Sequence, residues 1–384
     1  MNDKIKQAGF ATRCAHAGRV KEDGTNGVTT AIYPSSTYRV QYPGDESGYV
    51  YSRAHNPTRR ALEQGLASIE NAQFAYAYSS GLAALNALFS TLKTGDHVVA
   101  ANDLYGGTHR QFARILGPQF GIEFTFVDPS DPAIFEKSLK PNTKMFWLET
   151  PSNPLLTVTD IEKVAAIGKA HKILTGVDNT FATPYIQQPL ELGADIVLHS
   201  MSKYLGGHCD VIAGALMTND KALAEKIQFN QYAIGGMLGP FESWLVLRGM
   251  KTLPLRMEKH SANATAVAKF LTTQSKVETV MFPGLDGQPL PNKMKLPGGM
   301  VSFRLKADFE QVKKFCTSLK VFVLAESLGG VESLVNHPAS MTHSSIPKEI
   351  REPNGVTDNL VRLSVGIEDA EDLTNDLEQA LAAV

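Results

Sequence analysis

The sequence predicts an α/β protein in which helices cover both faces of a mostly parallel β-sheet, followed by a smaller α+β domain. Two observations predict this fold class. From Pro57 onward, short apolar strand candidates alternate with helix-length segments, a pattern typical of βαβ units around a buried parallel sheet. After about residue 250 the pattern changes, and a shorter series of strands and helices ends in an amphipathic helix.

The elements follow one another in a regular order along the chain. A helix over Thr58–Ile69 precedes the strand Phe74–Tyr78, and helical spacing of apolar residues resumes from Leu82. Five more strand candidates follow in the first domain, namely His97–Ala100, Glu123–Val127, Met145–Leu148, Ile173–Val177 and Ile196–Leu198. The second domain has three strand candidates and a final helix, namely Met300–Leu305, Val321–Leu324, Leu360–Val365 and the helix that carries Leu373, Leu377, Ala380 and Leu381.

These patterns divide the chain into three parts. Residues 1–58 form a predicted N-terminal arm that is rich in Gly, Pro, Thr and Tyr and has little helical periodicity. Residues 59–250 form the first domain and residues 251–384 the second. We expect the boundary to fall near residues 245–258, within a connecting helix.

Composition narrows the class of protein further. The 384 residues are 43% hydrophobic and carry a formal net charge of −2, with no basic stretch that would follow a phosphate backbone, so nucleic acid is not an expected partner. No apolar run reaches the roughly 18 residues that span a bilayer. The polar N-terminus and three widely spaced cysteines, Cys14, Cys209 and Cys316, favour a cytoplasmic protein with reduced thiols and no metal motif.

Lys203 and Asp178 form the most informative chemical pair. Lys203 follows the apolar run at 196–198, and Asp178 ends the preceding strand candidate, so both are expected at the same edge of a parallel sheet. An amine in this position can form a Schiff base, and a carboxylate beside it can keep a pyridinium nitrogen protonated. A pyridoxal 5′-phosphate (PLP) site requires this pair from its protein. Most lysines are solvated surface charges, so Lys203 alone would indicate little.

Small polar residues at the same edge suggest a phosphate site. Ser79-Ser80-Gly81-Leu82 joins a strand to a helix, and a helix N-terminus offers backbone N–H groups and positive partial charge to a phosphate. An ordinary helix cap is the alternative for this segment. Ser200 and Ser202 can contribute hydroxyl groups, with simple loop polarity as their alternative.

Three further residues are candidates for contacts with a cofactor or substrate. Asn153 follows the strand candidate at 145–148 and suits a hydrogen bond to a phenolic oxygen, although it is equally a turn residue in a Pro-rich loop. Tyr105, before Gly106-Gly107, can stack on a flat ring, or lie in the core. Arg362 interrupts an apolar strand and suits a substrate carboxylate, or a structural salt bridge.

Together these motifs resemble the Cys/Met-metabolism family of PLP enzymes of fold type I, over essentially the whole chain. The resemblance implies a large domain with a mostly parallel seven-stranded sheet and a smaller α+β C-terminal domain. The segments that carry it are Tyr51-Ser52-Arg53, Asn56-Pro57-Thr58-Arg59, Ser80-Gly81-Leu82, Asp103-Leu104-Tyr105-Gly106-Gly107-Thr108, Glu149-Thr150-Pro151-Ser152-Asn153-Pro154, Val177-Asp178-Asn179-Thr180-Phe181, Ser202-Lys203-Tyr204, Ala325-Glu326-Ser327-Leu328-Gly329-Gly330 and Arg362-Leu363-Ser364-Val365-Gly366-Ile367-Glu368-Asp369.

The resemblance also implies roles for individual residues. Lys203 matches the Schiff-base lysine, Asp178 the pyridinium partner and Tyr105 the stacking tyrosine. The residues that match the family's phosphate site are Gly81, Leu82, Ser200, Ser202, Tyr51 and Arg53. In the family the last two come from a neighbouring subunit, so the active site is expected to need a dimer. Family members are usually tetramers built from two such dimers, so the resemblance implies a homotetramer with shared sites. The residues that match groups holding the substrate are Asn153, Ser327 and Arg362.

Finer points of resemblance bear on the reaction. Gly107 stands where methionine γ-lyases usually carry Cys, which argues against that activity. Glu326 matches cystathionine γ-lyases and γ-synthases, whereas one branch of β-lyases carries an aromatic residue there. The segment at 332–343 also looks like bacterial γ-lyases, although some bacterial β-lyases share it. Ser202 replaces the family's usual Thr and keeps the hydroxyl, while Gly206 and Cys209 depart from the usual Asn and Ser with no evident consequence.

The resemblance therefore implies a cytoplasmic, PLP-dependent cystathionine γ-lyase of transsulfuration, which takes part in cysteine and methionine metabolism. Glu326 is expected to face the distal end of the substrate. Cystathionine γ-synthase and cystathionine β-lyase are the alternative enzymes. A catalytically silent PLP-fold regulator is the alternative of a different class, and the presence of Lys203, Asp178 and Arg362 weighs against it because such a protein need not keep all three.

Overall fold

The computed structural model describes residues 5, 7–19, 27–45, 47–285, 287, 289–344 and 346–384. Parts of the predicted arm, residues 1–4, 6, 20–26 and 46, lie outside the described residues. The strands are β1 Phe74–Tyr78, β2 His97–Ala101, β3 Glu123–Val127, β4 Thr143–Glu149, β5 Leu174–Asp178, β6 Ile196–Ser200, β7 Gly214–Thr218, β8 Val277–Met281, β9 Met300–Leu305, β10 Val323–Leu324, β11 Leu334–Asn336 and β12 Leu360–Ser364. The α-helices are α1 Phe10–Ala15, α2 Pro57–Glu70, α3 Gly81–Phe89, α4 Gly106–Gln111, α5 Gly117–Phe120, α6 Ala133–Lys137, α7 Ile161–His171, α8 Thr183–Ile186, α9 Lys221–Ile234, α10 Pro240–Met250, α11 Leu253–Thr272, α12 Phe309–Ser318, α13 Lys348–Arg351 and α14 Ala370–Ala382.

The first sheet has seven strands in the order β1-β7-β6-β5-β4-β2-β3. The pairs from β6 through β3 are parallel, whereas β7 runs antiparallel to both of its neighbours. The predicted fold class, a mostly parallel seven-stranded sheet, is therefore confirmed. Parallel strands end at the same edge of a sheet, so the residues that follow β4, β5 and β6 lie close together there.

Helices bury both faces of this sheet, and adjacent residues of β6 show how. Side chains alternate along a strand, so Val197 and Leu198 point to opposite faces. Val197 packs in one cluster with Leu62 and Leu66 of α2, while Leu198 packs in another with Leu85 of α3. Burial on both faces explains why the parallel strands appear in the sequence as short continuous apolar runs.

The helix ends carry local sequence signals. Asn56 caps α2 by accepting hydrogen bonds from the N–H groups of Thr58 and Arg59 at 2.9 and 3.2 Å, and Pro57 occupies the first turn. Asp308 forms a capping box with Gln311 at the start of α12. The Asn56 cap places the start of α2 within one residue of the predicted helix Thr58–Ile69.

The second sheet has five strands in the order β10-β11-β12-β9-β8. In the antiparallel β12–β9 pair, Arg362 lies opposite Ser302. Helix α11 joins the two parts of the chain: Met257 packs in the core beside α2, whereas Ala264 and Val267 pack against the second sheet. The domain boundary near residue 250 stays a prediction.

The structure corrects the predicted strands at several points. Strand β10 is shorter than the predicted Val321–Leu324, because the N–H groups of Val321 and Phe322 donate to the Asp376 carboxylate rather than to a neighbouring strand. The sequence pattern missed the strands β7, β8 and β11. Strand β7 contains no β-branched residue before Thr218, so its sequence lacks the usual strand signal. Among the described helices, none has the length and apolar character that crossing a membrane requires.

Candidate active site

A cavity of about 550 Å³ opens between the edge of the first sheet and the loop at 325–328, which follows β10. This volume lies within the usual range for small-molecule sites. The cavity brings together all of the predicted site residues except two; those that line it are Gly81, Leu82, Tyr105, Asn153, Asp178, Ser200, Ser202, Lys203, Glu326, Ser327 and Arg362.

The N-terminus of α3 forms one end of the cavity. Ser80 caps this helix, since its hydroxyl accepts the N–H of Ala83 at 3.0 Å. A Cβ added at Gly81 would lie 3.2 Å from the Cβ of Ser200, so glycine allows the helix to approach the end of β6 closely. The hydroxyl of Ser202 accepts a hydrogen bond from the N–H of Ala213 at 2.9 Å. This contact connects the segment that carries Lys203 to the residue before β7.

Asp178 is the last residue of β5 and its carboxylate is held by its own turn. Oδ1 accepts hydrogen bonds from the N–H of Thr180 at 3.0 Å and from its hydroxyl at 2.5 Å. The Thr180 hydroxyl in turn accepts the N–H of Ser200 at 2.8 Å, which links β5 to β6. Burial raises the pKa of Asp178, while the Thr180 hydrogen bonds and the nearby His199 oppose the rise.

Lys203 contacts the loop at 325–328. Its Nζ donates to the Ser327 hydroxyl at 2.6 Å. Burial, together with the Arg362 cation, lowers the pKa of Lys203 to about 8, although Cys209 and Glu326 oppose the change. Ser327 has a left-handed backbone with φ of 88°, a strained conformation for a non-glycine residue that often accompanies a functional site.

Arg362 projects from β12 into the same cavity and is 1% exposed. Nη1 donates to Asn153 Oδ1 at 2.8 Å and Nη2 to the Ser327 carbonyl at 3.0 Å. The buried Nε has no hydrogen-bond partner, and among the described residues no carboxylate lies within salt-bridge distance of the guanidinium. A structural salt bridge therefore does not account for this arginine, whose donors suit an incoming anion.

Tyr105 is the N-cap residue of α4 and is 38% exposed. Its backbone N–H donates to Glu149 Oε2 at 2.8 Å. A Cβ at Gly107 would come within 2.3 Å of the tyrosine Cε1, so a larger residue there would have to displace the ring. Burial raises the pKa of the Tyr105 hydroxyl, so the phenol stays protonated at neutral pH.

The prediction gave no role to two residues that the structure places in the site, Glu149 and Thr180. Both line the cavity. Glu149 ends β4 and lies opposite Asp178 in the parallel β4–β5 register. The sequence signal that could have identified Glu149 was its position at the end of a buried strand, next to the strand that ends at Asp178.

Tyr51 and Arg53 do not line the cavity of their own chain. Arg53 Nη1 donates to the Tyr232 carbonyl at 3.0 Å, and its guanidinium lies 4.5 Å from the centre of the Tyr232 ring. Tyr51 is 45% exposed. Their expected role at a neighbour's phosphate site stays a prediction.

The residues of the cavity fit PLP. A buried carboxylate suits a pyridinium nitrogen, a lysine of lowered pKa suits an aldehyde carbon, and the capped N-terminus of α3 suits a phosphate. The unpartnered Nε of Arg362 leaves a cationic donor for a carboxylate. Within the described part of the chain, no group of His, Cys, Asp and Glu residues has an arrangement that holds a metal ion.

Comparisons with known proteins point to the same chemistry. Residues 11–382 match the family model described as Cys/Met metabolism PLP-dependent enzyme. A cystathionine beta-lyase of Lactococcus lactis is 51% identical over 96% of this chain and 98% of its own length. A cystathionine gamma-synthase of Mycobacterium tuberculosis is 47% identical over 97% of each chain. The crystal structure of cystathionine gamma-lyase from Lactobacillus plantarum complexed with L-serine superposes with a TM-score of 0.94 and 45% identity, covering 98% of this chain and 99% of that one.

Proposed function

Since the chain belongs to the Cys/Met-metabolism family of PLP-dependent enzymes, we propose that it is a cystathionine γ-lyase. The reaction would convert L-cystathionine and water into L-cysteine, 2-oxobutanoate and ammonia. The observation that carries the proposal is the meeting of Lys203, Asp178 and Arg362 in one cavity, with the carboxylate of Glu326 at its exposed side.

The residues that would hold the cofactor all line the cavity. Lys203 would hold it covalently through Nζ, Asp178 would pair with the ring nitrogen, and Tyr105 would lie against the ring. The phosphate would be bound by the N–H groups of Gly81 and Leu82 and by the hydroxyls of Ser200 and Ser202. When bound, PLP supplies an electron sink for a carbanion at the substrate Cα.

Arg362 would bind the substrate carboxylate. Its guanidinium is planar and is already oriented by Asn153 and by the carbonyl of Ser327. A bidentate pair formed there would fix the α-carbon close to Lys203, and such positioning is a large part of catalytic rate enhancement.

Lys203 and Tyr105 would carry the protons. With a pKa lowered to about 8, a substantial fraction of Lys203 is a neutral amine near physiological pH. Once the substrate amine has displaced Lys203 from the cofactor, the free Nζ of the lysine would remove the Cα proton and pass that proton on to the bound cofactor. Neutral again, Nζ would remove a Cβ proton, after which the Cγ–S bond breaks. The protonated hydroxyl of Tyr105 would give a proton to the departing sulfur, so that cysteine leaves as a thiol.

The choice of γ-cleavage rests on the resemblance at Glu326, because γ-lyases and γ-synthases carry a carboxylate where one branch of β-lyases carries an aromatic residue. This exposed carboxylate lines the cavity beside Ser327 and suits the ammonium at the distal end of cystathionine. Cystathionine β-lyase is the second candidate, because the relative from Lactococcus lactis with 51% identity carries that name. Cystathionine γ-synthase is the third, because the relative from Mycobacterium tuberculosis with 47% identity carries that name.

We further propose that the protein works in the cytoplasm as a homotetramer of two dimers. Arg53 and Tyr51 lie outside the cavity of their own chain, and this position is compatible with a contact to a neighbour's phosphate site.

Product analysis distinguishes the three enzymes. The protein loaded with PLP is incubated with L-cystathionine, and the oxo acids are separated by chromatography. We expect 2-oxobutanoate; a predominance of pyruvate would establish β-cleavage. A parallel incubation with an O-acylhomoserine and cysteine tests synthesis of cystathionine. Lys203→Ala protein serves as the control for turnover that the site does not catalyse.

A further inference from the structure

Glu149 is a buried carboxyl in the cavity to which the mechanism above gives no role. It is the last residue of β4 and is 5% exposed. Its Oε2 accepts the backbone N–H of Tyr105 at 2.8 Å. The adjacent strand ends in register with it, so Glu149 and Asp178 lie side by side at the edge of the sheet.

Two neighbouring buried carboxyls are not both ionised without a large cost. Asp178 accepts two hydrogen bonds from Thr180, which favour its ionised form. For Glu149, burial together with the negative charge of Asp178 raises the pKa well above its ordinary value. The titratable or charged groups that act on Glu149 from the surrounding elements are Asp178, Asp103, Arg362 and Tyr105.

The segment that carries Tyr105 is attached to the end of β4 at a second point. The Ser152 hydroxyl donates to the Asp103 carboxyl, and the same hydroxyl accepts the N–H of Thr157 at 2.9 Å. The segment at 103–105 therefore docks on the residues that follow β4 through both Asp103 and the N–H of Tyr105. Substitution of Glu149 would remove the attachment that lies closer to the tyrosine ring, namely the hydrogen bond from the Tyr105 N–H.

We propose that Glu149 is a positioning residue: its carboxyl accepts the backbone N–H of Tyr105, and so fixes the tyrosine ring at the cavity edge. The inference rests on the proposed role of Tyr105 against the cofactor ring. It assigns to Glu149 no contact with the reacting atoms.

Two kinds of substitution at Glu149 test this proposal, because one keeps the hydrogen-bond acceptor while removing the ionisable group, and the other removes both. Glu149→Gln keeps a carbonyl oxygen for the Tyr105 N–H and cannot ionise, whereas Glu149→Leu and Glu149→Met remove the strong acceptor. Asp195 provides matched controls, because its carboxylate also accepts a backbone N–H, that of Thr175 at 2.7 Å, but Asp195 lies immediately before β6 and outside the cavity. The control variants are Asp195→Asn and Asp195→Leu.

Two measurements are made on each variant. Hydrogen exchange of the apoprotein reports protection of the Tyr105 amide, and absorbance titration with PLP gives the dissociation constant. We expect Glu149→Leu and Glu149→Met to exchange this amide at least tenfold faster and to bind PLP about tenfold more weakly, the scale of one lost hydrogen bond. Glu149→Gln should stay within about threefold of the wild type in both, and the Asp195 variants should leave both unchanged even where the midpoint of thermal unfolding falls.

Unchanged protection of the Tyr105 amide in a folded Leu or Met variant would overturn the proposal. An equal loss in Glu149→Gln would also overturn it, because the ionisable group rather than the acceptor would then be needed. The Gln variant remains informative if the apolar variants do not fold. Exchange is measured without cofactor or substrate, so its result is independent of whether the enzyme cleaves at Cγ, cleaves at Cβ or synthesises cystathionine.

Discussion

Arg362 Nη1 donates to Asn153 Oδ1 at 2.8 Å, and this hydrogen bond joins the second sheet to the loop that follows β4 of the first. The Asn153 carbonyl also accepts a hydrogen bond from His343 Nε2 at 3.2 Å. Burial lowers the pKa of His343 to about 4, so the imidazole is neutral near pH 7 and the Arg362 cation has no charged histidine beside it. The guanidinium is thus oriented by residues from both parts of the chain.

Arg362→Lys should weaken substrate binding more than it affects the cofactor. Lysine keeps the charge but loses the planar pair of donors, so we expect the KM for cystathionine to rise at least tenfold while the dissociation constant for PLP changes less than threefold. Steady-state kinetics and absorbance titration measure these two quantities. Arg304→Lys is the control, since Arg304 lies in neighbouring β9 and donates to the Gly355 carbonyl outside the cavity. Equal effects of the two substitutions would argue against substrate binding by Arg362.

Lys203 should carry the covalent link to PLP. Borohydride reduction of the loaded protein followed by peptide mapping is expected to place the label on Lys203. Lys203→Ala should still bind some PLP through the phosphate contacts, while kcat falls by at least about 10³-fold because both the link and the base are lost. A label on any other lysine contradicts the assignment.

The lowered pKa of Lys203 should appear in the stability of the apoprotein. The pKa of Lys203 is about 8 in the folded chain and has its ordinary value of 10.5 in the unfolded chain. Between these two pH values the unfolded chain binds a proton that the folded chain does not, so the unfolding free energy of the wild type increases as pH rises from about 8 to 10.5. Lys203→Met removes the contribution. We therefore expect the variant to gain up to about 3 kcal/mol relative to the wild type below pH 8, and this gain to disappear near pH 10.5.

Urea denaturation of the two apoproteins from pH 7 to 10.5 measures the difference in unfolding free energy. Lys269→Met, a substitution of an exposed lysine on α11, is the control and should differ from the wild type by a constant amount. A difference between Lys203→Met and wild type that does not change with pH would mean that Lys203 is an ordinary charged lysine in the folded state.

The sequence predicted the helices and strands that carry strong periodicity, and with them the parallel edge where Asp178 and Lys203 meet. It missed β7 because the buried run Gly214–Thr218 has few β-branched residues. It also gave no role to Glu149 and Thr180. Their contacts depend on the register of neighbouring strands and on the hydroxyl that links Asp178 to Ser200, and neither is visible in the spacing of one chain.

Mixed subunits should reveal whether the active site is shared. In a dimer of Arg53→Ala and Lys203→Ala chains, one site would combine the intact Lys203 of one chain with the intact Arg53 of the other. We expect activity to reappear after subunit exchange, up to about one quarter of the wild type per site when the chains pair at random. The matched control mixes Lys203→Ala with Asp178→Asn; both residues line the cavity of one chain, so exchange should restore nothing.

Glu326 should set the preference for a substrate with a charged distal end. Its side chain is exposed and lines the cavity next to Ser327, the residue that accepts the Lys203 hydrogen bond. Cystathionine carries an ammonium and a carboxylate at its distal end, whereas methionine carries a methyl group. A partly exposed ion pair is worth roughly 1 kcal/mol, which corresponds to a several-fold change in KM. Glu326→Val should therefore raise the KM for cystathionine several-fold and improve relative activity on methionine.

The quantity to compare is the ratio of kcat/KM for cystathionine to that for methionine, because only this ratio reports discrimination between the two. If Glu326 merely supports the loop and the backbone of Ser327, activity on both substrates would fall together and the ratio would stay the same. Glu332→Val is the control, since Glu332 is an exposed carboxylate a few residues further along that does not line the cavity. A ratio that falls in Glu326→Val and not in Glu332→Val would attribute recognition of the distal ammonium to this one carboxylate, because the two substitutions remove the same charge from the same region of the chain.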